Sequence, residues 1–425
     1  MEKEKRIELL EEIKGNENNV IKSGISIMYD GERIIFKTYK IPLEYLIYNK
    51  YNGRIGAAVK SYEKQHQELN PEKTEDVRII ENYLWVSKKD RNKVTEESLA
   101  NEFQKNYGVV TKDGVIVDGN RRAMLLNKIY REREEWQSRH INVDHCKYFE
   151  AIILDDEADQ KRVMKLETEL QMGDDEKVGY DAIQKYLKCS QLQDVGYTIS
   201  DIAVMMSESE SSINEYLKTL HMMENYLEYL GYDGIYTRLE KKEGQFVDLT
   251  KFVEQIKKGS KVTNWFYQDE DINDFQSIAF DYIRSDYEGK EFRRIFDFFK
   301  NKDLWEKFRD AHIDKLKQLN INEESVEALF KENPGEDFSI LLEQRDEKYK
   351  NETIKDFQNT LRYINALREN VIDKDEPSKL LNKALDALKN INVNNNGFRK
   401  QESLDLVIEI SRTAFELKKV LEKYL

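Results

Sequence analysis

Gly119-Asn120-Arg121-Arg122 follows the run Val115-Ile116-Val117-Asp118, and this stretch is the one best equipped for chemistry. Two successive guanidiniums offer planar forks that grip phosphate oxygens in pairs. Asp118-Gly119-Asn120 is turn chemistry, because Gly takes backbone angles that other residues resist, and Asp and Asn bond to nearby amides. Val115-Ile116-Val117 is a β-branched apolar run of the kind that forms a buried strand. Ala123-Met124-Leu125-Leu126-Asn127-Lys128-Ile129 has apolar spacing that suits a helix. The unit reads as strand, tight turn and helix, with both arginines on the helix's first turn, where unpaired N–H groups favour an anion. A phosphate site and a solvated surface turn both remain open on these residues alone. Asp118, beside the arginines, reads as a cap of the turn rather than as a base.

A second constellation lies at 199–220. Ile199 to Met206 reads as a short amphipathic helix, Ser207-Glu208-Ser209 as a turn, and Ser211 to Leu220 as a second helix. Ile202, Ala203, Met206, Ile213 and Leu217 have the spacing of a helix-turn-helix, in which Ala203 allows close approach. The second helix of such a unit can enter the DNA major groove. Ser209, Ser211, Ser212, Asn214 and Lys218 are the residues that would touch DNA. Glu208, Glu210 and Glu215 make the face acidic and leave a protein partner as the other reading. His140, His145 and Cys146 have no finger-like spacing and read as structural. Asp155, Asp156, Glu157 and Asp159 read as an acidic helix start.

The chain has 425 residues, a net charge of −14, 35% charged and 39% hydrophobic residues, 4 Pro and 18 Gly. That composition points to a helix-rich protein with a heavily solvated surface. The negative balance argues against broad, non-specific nucleic-acid binding, which needs a basic footprint, and leaves room for a local basic site. No apolar run reaches the ~20 residues of a membrane span. Cys146 and Cys189 form no CxxC, so the chain reads as cytoplasmic and without a disulfide framework.

Residues 1–24 read as an N-terminal helix or arm. Strands are expected at 25–29 and 33–39, joined at Asp30-Gly31, at 108–117 around Asp113-Gly114, and at 149–154. Between them come a long polar helical stretch from Gly56 to about Lys89 and an amphipathic helix over 95–107, with Leu99, Phe103 and Tyr107 on one face. A helix is expected from Arg122 to about Arg139. Residues 25–160 therefore read as an α+β domain, 161–231 as an all-α helix-turn-helix domain, 232–348 as a further helical domain, and 349–425 as an all-α C-terminal bundle suited to dimerisation. Phe275, Ile278 and Tyr282, and Phe292, Ile295, Phe296 and Phe299, are aromatic-rich core stripes. Ile354, Phe357, Leu361, Ile364, Leu367 and Val371 give one apolar seam.

Taken in order, these motifs resemble the ParB family of partition proteins and the wider ParB/sulfiredoxin-like superfamily. Ile41-Pro42-Leu43, Leu46 and Asn52-Gly53-Arg54 resemble the family's first box. Gly119-Asn120-Arg121-Arg122 resembles its Gly-Glu-Arg-Arg phosphate motif, and Thr168-Glu169-Leu170-Gln171-Met172 its Glu-Asn-Leu-Gln-Arg box. The resemblance covers roughly 41–220. It implies a site for CTP or another nucleoside triphosphate, held by Gly119, Asn120, Arg121, Arg122, Arg54 and Gln171, with magnesium on Glu167 or Glu169. It also implies a homodimer that uses the nucleotide as a switch or clamp on DNA, with slow nucleotide hydrolysis as an accompanying activity. The chain departs at Leu125, where the family has alanine, and at Met172, where it has arginine. Asn120 stands where sulfiredoxins carry their cysteine, which excludes that chemistry. An adaptor that binds partner proteins in a multi-component system such as phage defence, and a nuclease or phosphotransferase on the same fold, are the competing expectations.

Overall fold

A computed structural model describes residues 1–29, 32–172, 181–258, 263, 265–321, 325–333, 338–372 and 376–424. The expected turn at Asp30-Gly31 lies outside them. The N-terminal region is α+β. Five strands, β1 (Val20–Tyr29), β2 (Glu32–Pro42), β3 (Gly108–Val110), β4 (Ile116–Asp118) and β5 (Tyr148–Ile153), form one mixed sheet in the order β1-β2-β5-β3-β4. β5 is antiparallel to β2 and parallel to β3, with Ala151 opposite both Tyr39 and Gly108.

β5 is a near-continuous apolar run because it is covered on both faces. Phe149, Ala151 and Ile153 join the core beneath the helices, while Ile152 joins Val109, Val117 and Leu166 on the other side. This is the two-residue alternation of a strand. Helices α1 (Lys3–Gly15), α2 (Gly56–Gln65), α3 (Thr74–Val86), α4 (Lys89–Asn101), α5 (Asn120–Arg131) and α6 (Arg133–Ser138) belong to this region. The seam Ala123, Leu126 and Ile129 of α5 buries against Ile80 of α3 and Leu99 of α4. Packing α5 alone, at roughly 1.5–3 kcal/mol per fully buried large aliphatic side chain, fixes the arginines at its start relative to the sheet.

Several boundaries differ from the sequence expectation. The first sheet hairpin is longer, so the expected division at 24/25 falls inside β1. The polar stretch after Gly56 is broken into α2 and α3. The helix expected over 95–107 starts at Lys89 and stops at Asn101, leaving Phe103 74% exposed. Its end is set by Gln104, whose side-chain amide donates to the carbonyls of Asn106 and Glu150, 2.7 Å each, and accepts from Glu150 N at 3.1 Å. Gln104 thus pairs with β5 as a strand would. The helix after Arg122 breaks near Glu132 into α5 and α6.

The rest of the described chain is helical: α7 (Gln160–Met172), α8 (Ala182–Asp194), α9 (Ile199–Met206), α10 (Glu210–Leu230), α11 (Glu243–Lys257), α12 (Asp269–Arg284), α13 (Gly289–Phe299), α14 (Lys302–Leu319), α15 (Val326–Glu332), α16 (Phe338–Ile372), α17 (Glu376–Lys389) and α18 (Gln401–Leu421). One core runs from Ile183 of α8 to Ile364 of α16 and contains the aromatic stripes of α12 and α13. It crosses the expected division at 231/232, and α16 runs unbroken through the one at 348/349. Of the apolar seam expected on α16, Phe357, Leu361 and Ile364 are buried in that core and Ile354 and Leu367 pack against it, while the Val371 side chain lies outside the described residues. Pro377 sits in the first turn of α17, as its missing N–H favours. α18 buries none of its residues. No helix among the described residues is long and apolar enough to cross a membrane.

Candidate anion site

The turn after β4 is built by glycine. Gly119 caps α5 with φ +105°, and a Cβ there would lie 2.6 Å from the Phe149 ring. Gly108 meets the same ring from β3, where a Cβ would lie 2.2 Å from it and 2.9 Å from the Asp118 carbonyl. Phe149 therefore closes the floor of the turn between two glycines. No side chain caps the start of α5, so no side-chain acceptor offsets the positive end of its dipole.

The four residues of the motif divide their work. The Asn120 side chain is 2% exposed and wholly committed: its Oδ1 accepts from Asn49 N at 2.9 Å and its Nδ2 donates to the Ile116 carbonyl at 3.1 Å. The Asn120 side chain therefore pins the turn to the segment at Asn49, which leaves the expected role in phosphate binding to the Gly119–Asn120 backbone. Arg122 donates from Nη1 to the Tyr107 carbonyl at 3.0 Å and sits beside Asp118. Burial pushes its pKa down, Asp118 opposes that, and Arg54 adds to it. Arg121 differs. It is half-buried, and no carboxylate among the described residues pairs with it. Burial first, then Arg54, Arg122 and Arg91, push its pKa down to about 10. It stays charged at neutral pH in a field that repels it.

Arg54 and Gln171 join this cluster from distant points of the chain. Arg54 Nη2 donates to Gln171 Oε1 at 3.0 Å, and Gln171 Nε2 donates to Asp118 Oδ1 at 3.0 Å. One line of bonds thus ties the first box, α7 and the end of β4. Four of the expected residues, Arg54, Arg121, Arg122 and Gln171, meet around Gly119. Arg91 of α4 also contributes and had no signal in the sequence, being one cation among many in a polar helix.

Of the two expected magnesium ligands, Glu167 is already taken up by other groups. Glu167 is fully buried. Its Oε1 accepts from Asn52 Nδ2 and Gly53 N, 2.9 Å each, and its Oε2 accepts from Lys188 Nζ at 2.5 Å. A divalent cation would compete with an ammonium already held there. Glu169 lies 3.9 Å from Lys165 one turn away. No group of three or more His, Cys, Asp or Glu among the described residues is placed to hold a metal ion. What Glu167 does instead is hold the Asn52–Gly53 turn that presents Arg54. Lys188 Nζ also donates to the Tyr51 carbonyl at 3.2 Å, and Gln184 Nε2 to the Arg54 carbonyl at 3.0 Å.

The helix-turn-helix constellation is present as helix, turn and helix. Ser207 takes φ +54° at the end of α9, Thr198 and Asp201 form a capping box at its start, and Ile202, Ala203, Met206 and Ile213 share a core with Met164, Cys189 and Leu192. The residues expected to face DNA are mostly engaged within the protein. Ser209 Oγ accepts from Ser212 N at 3.0 Å and lies 2.9 Å from Ser212 Oγ. Asn214 Nδ2 donates to the Glu210 carbonyl at 2.8 Å, and Lys218 pairs with Glu254. Ser211 is exposed. No family model matches the chain, and neither a curated protein nor a solved structure matches it.

Proposed function

We propose that this chain is a ParB-like protein that binds the triphosphate of a nucleotide, CTP being the first candidate, at the start of α5. The observation that carries the reading is the Arg54–Arg121–Arg122 cluster, in which Arg121 is repelled by three other guanidiniums and pairs with no carboxylate among the described residues. Such a cluster is costly without an anion, and phosphate oxygens match guanidinium forks two at a time. Arg121 would supply the direct grip. Arg122 and Gln171 would hold the frame, and the first N–H groups of α5 would face the phosphates. The Glu167 carboxylate is occupied by Asn52, Gly53 and Lys188, which leaves Glu169 as the α7 carboxylate that could serve magnesium.

A ligand on Arg54 would be felt beyond the site. The Tyr51–Arg54 turn is gripped by Glu167 of α7 and by Gln184 and Lys188 of α8, and both helices pack against the helix-turn-helix core. This supports a switch that changes the helix-turn-helix surface. Glu210 and Glu215 and the pairing of Lys218 with Glu254 favour a protein partner over duplex DNA at that surface. The exposed apolar residues of α18, among them Val407, Ile410, Leu417 and Leu421, are spaced by three, seven and four and so fall on one face, which supports pairing with a second copy. Calorimetric titration with CTP, ATP, GTP and UTP, with and without magnesium, tests the reading. One nucleotide is expected to bind, and Arg121→Ala to abolish it; no heat with any of the four overturns it.

A further inference from the structure

A cleft of about 1520 Å³ lies between the α+β region and the helical region. α2, the end of α3 and Lys88 form one wall, and residues 231–240 with the start of α16 form the other. We propose that this cleft binds single-stranded nucleic acid. Its volume exceeds the ~300–1,000 Å³ of small-molecule pockets, so it suits an extended ligand. Three of its aromatic rings cluster on one wall. The Tyr62 and His66 rings lie 4.4 Å apart, and Tyr83 meets Tyr62 edge-on at 6.4 Å. Tyr236 of the opposite wall is nearly buried, its hydroxyl donating to Glu224, so the accessible rings lie on the α2 side.

The charge of the cleft is the reverse of the chain's. Cations outnumber carboxylates in its lining, whereas the whole chain has 82 carboxylates against 68 cations. Lys64, Lys88 and Lys331 form no ion pair among the described residues, and Asp181 is occupied in capping α8. Unpaired lysines along a groove with aromatic rings are the two elements of single-strand recognition: charge tracks the backbone and rings stack on bases. An acidic peptide would satisfy the lysines and leave the rings without flat partners. A duplex hides its base faces. Arg54 also lines the cleft, so a strand lying there would end beside the guanidinium cluster.

The test is fluorescence anisotropy of the full chain with labelled oligothymidylate and oligouridylate of about 16 nucleotides. Binding that weakens with salt is expected for at least one of them, and the preferred one identifies DNA or RNA. The double variant Lys64→Glu, Lys88→Glu alters two exposed, unpaired side chains. It is expected to keep the wild-type melting curve and to bind the oligonucleotide about tenfold more weakly, while nucleotide binding at the arginine cluster is unchanged. His66→Ala is expected to weaken binding less. Absence of binding to both oligonucleotides, an unchanged Kd in the double variant, or equal competition by a duplex of the same length overturns the proposal.

Discussion

Glu167 and Lys188 form an ion pair, Oε2 to Nζ at 2.5 Å, in which neither side chain meets solvent. It joins α7 to α8 under the turn that carries Arg54. Removing one partner leaves an uncompensated buried charge, which costs about 3–5 kcal/mol. Lys188→Met is therefore expected to lower the urea unfolding free energy by that amount. The double variant Glu167→Gln, Lys188→Met is expected to recover part of the loss, because the stranded carboxylate is gone. A wild-type unfolding midpoint for Lys188→Met would show that the pair holds nothing.

Gly119→Ala and Gly108→Ala both press a methyl group onto Phe149. At Gly119 the positive φ adds backbone strain of roughly 1–3 kcal/mol. At Gly108 the methyl also meets the Asp118 carbonyl at 2.9 Å, so that variant is expected to be the less stable of the two. Thermal melting ranks them. Equal stability of both variants with the wild type would place Phe149 elsewhere.

Arg121 carries a pH signature. Its pKa lies below that of the unfolded chain, at about 10, so between pH 10 and the normal arginine value the unfolded state binds more protons. Stability contributed by this residue therefore rises with pH through that window, and at neutral pH the charged group works against the fold. Arg121→Met is expected to raise the melting temperature of the ligand-free protein, on the order of 2 °C. Inorganic pyrophosphate is expected to raise that of the wild type and not of the variant, at matched ionic strength. A variant that melts below the wild type would mean that Arg121 is a structural residue.

Burial pushes the thiols of Cys146 and Cys189 up to about 12. The thiolate is the reactive form, so neither cysteine is expected to react with a disulfide reagent at pH 8 while the chain is folded. Both are expected to react in denaturant. Rapid labelling of one thiol in the native protein would contradict its burial.

How much was legible in the sequence follows from how local each feature is. The strand, turn and helix over 115–129 were readable because β-branched run, Gly-centred turn and helical spacing all lie within fifteen residues and agree. The seam of α16 was readable for the same reason. The helix expected over 95–107 misled because Leu99, Phe103 and Tyr107 keep a spacing of four, while the true stop comes from Gln104 bonding to Glu150, 46 residues away. The bond from Asn49 N to the Asn120 side chain joins positions 71 residues apart, which no single stretch encodes. Glu167 carried a carboxylate with no sign that Lys188, 21 residues later, would take it. Arg91 enters the cluster through packing of α4 against α5, which no single stretch encodes.

The central claim is that the cluster at the start of α5 grips phosphates. The most direct measurement is the Kd of the best-binding nucleoside as its tri-, di- and monophosphate, for the wild type and for Arg121→Ala. The wild type is expected to lose at least about tenfold in affinity from triphosphate to monophosphate, since each charge-assisted bond to phosphate contributes about 1.5–3 kcal/mol, and the variant is expected to bind all three weakly and alike. Equal affinity of the wild type for all three, or undiminished discrimination in the variant, would contradict the account.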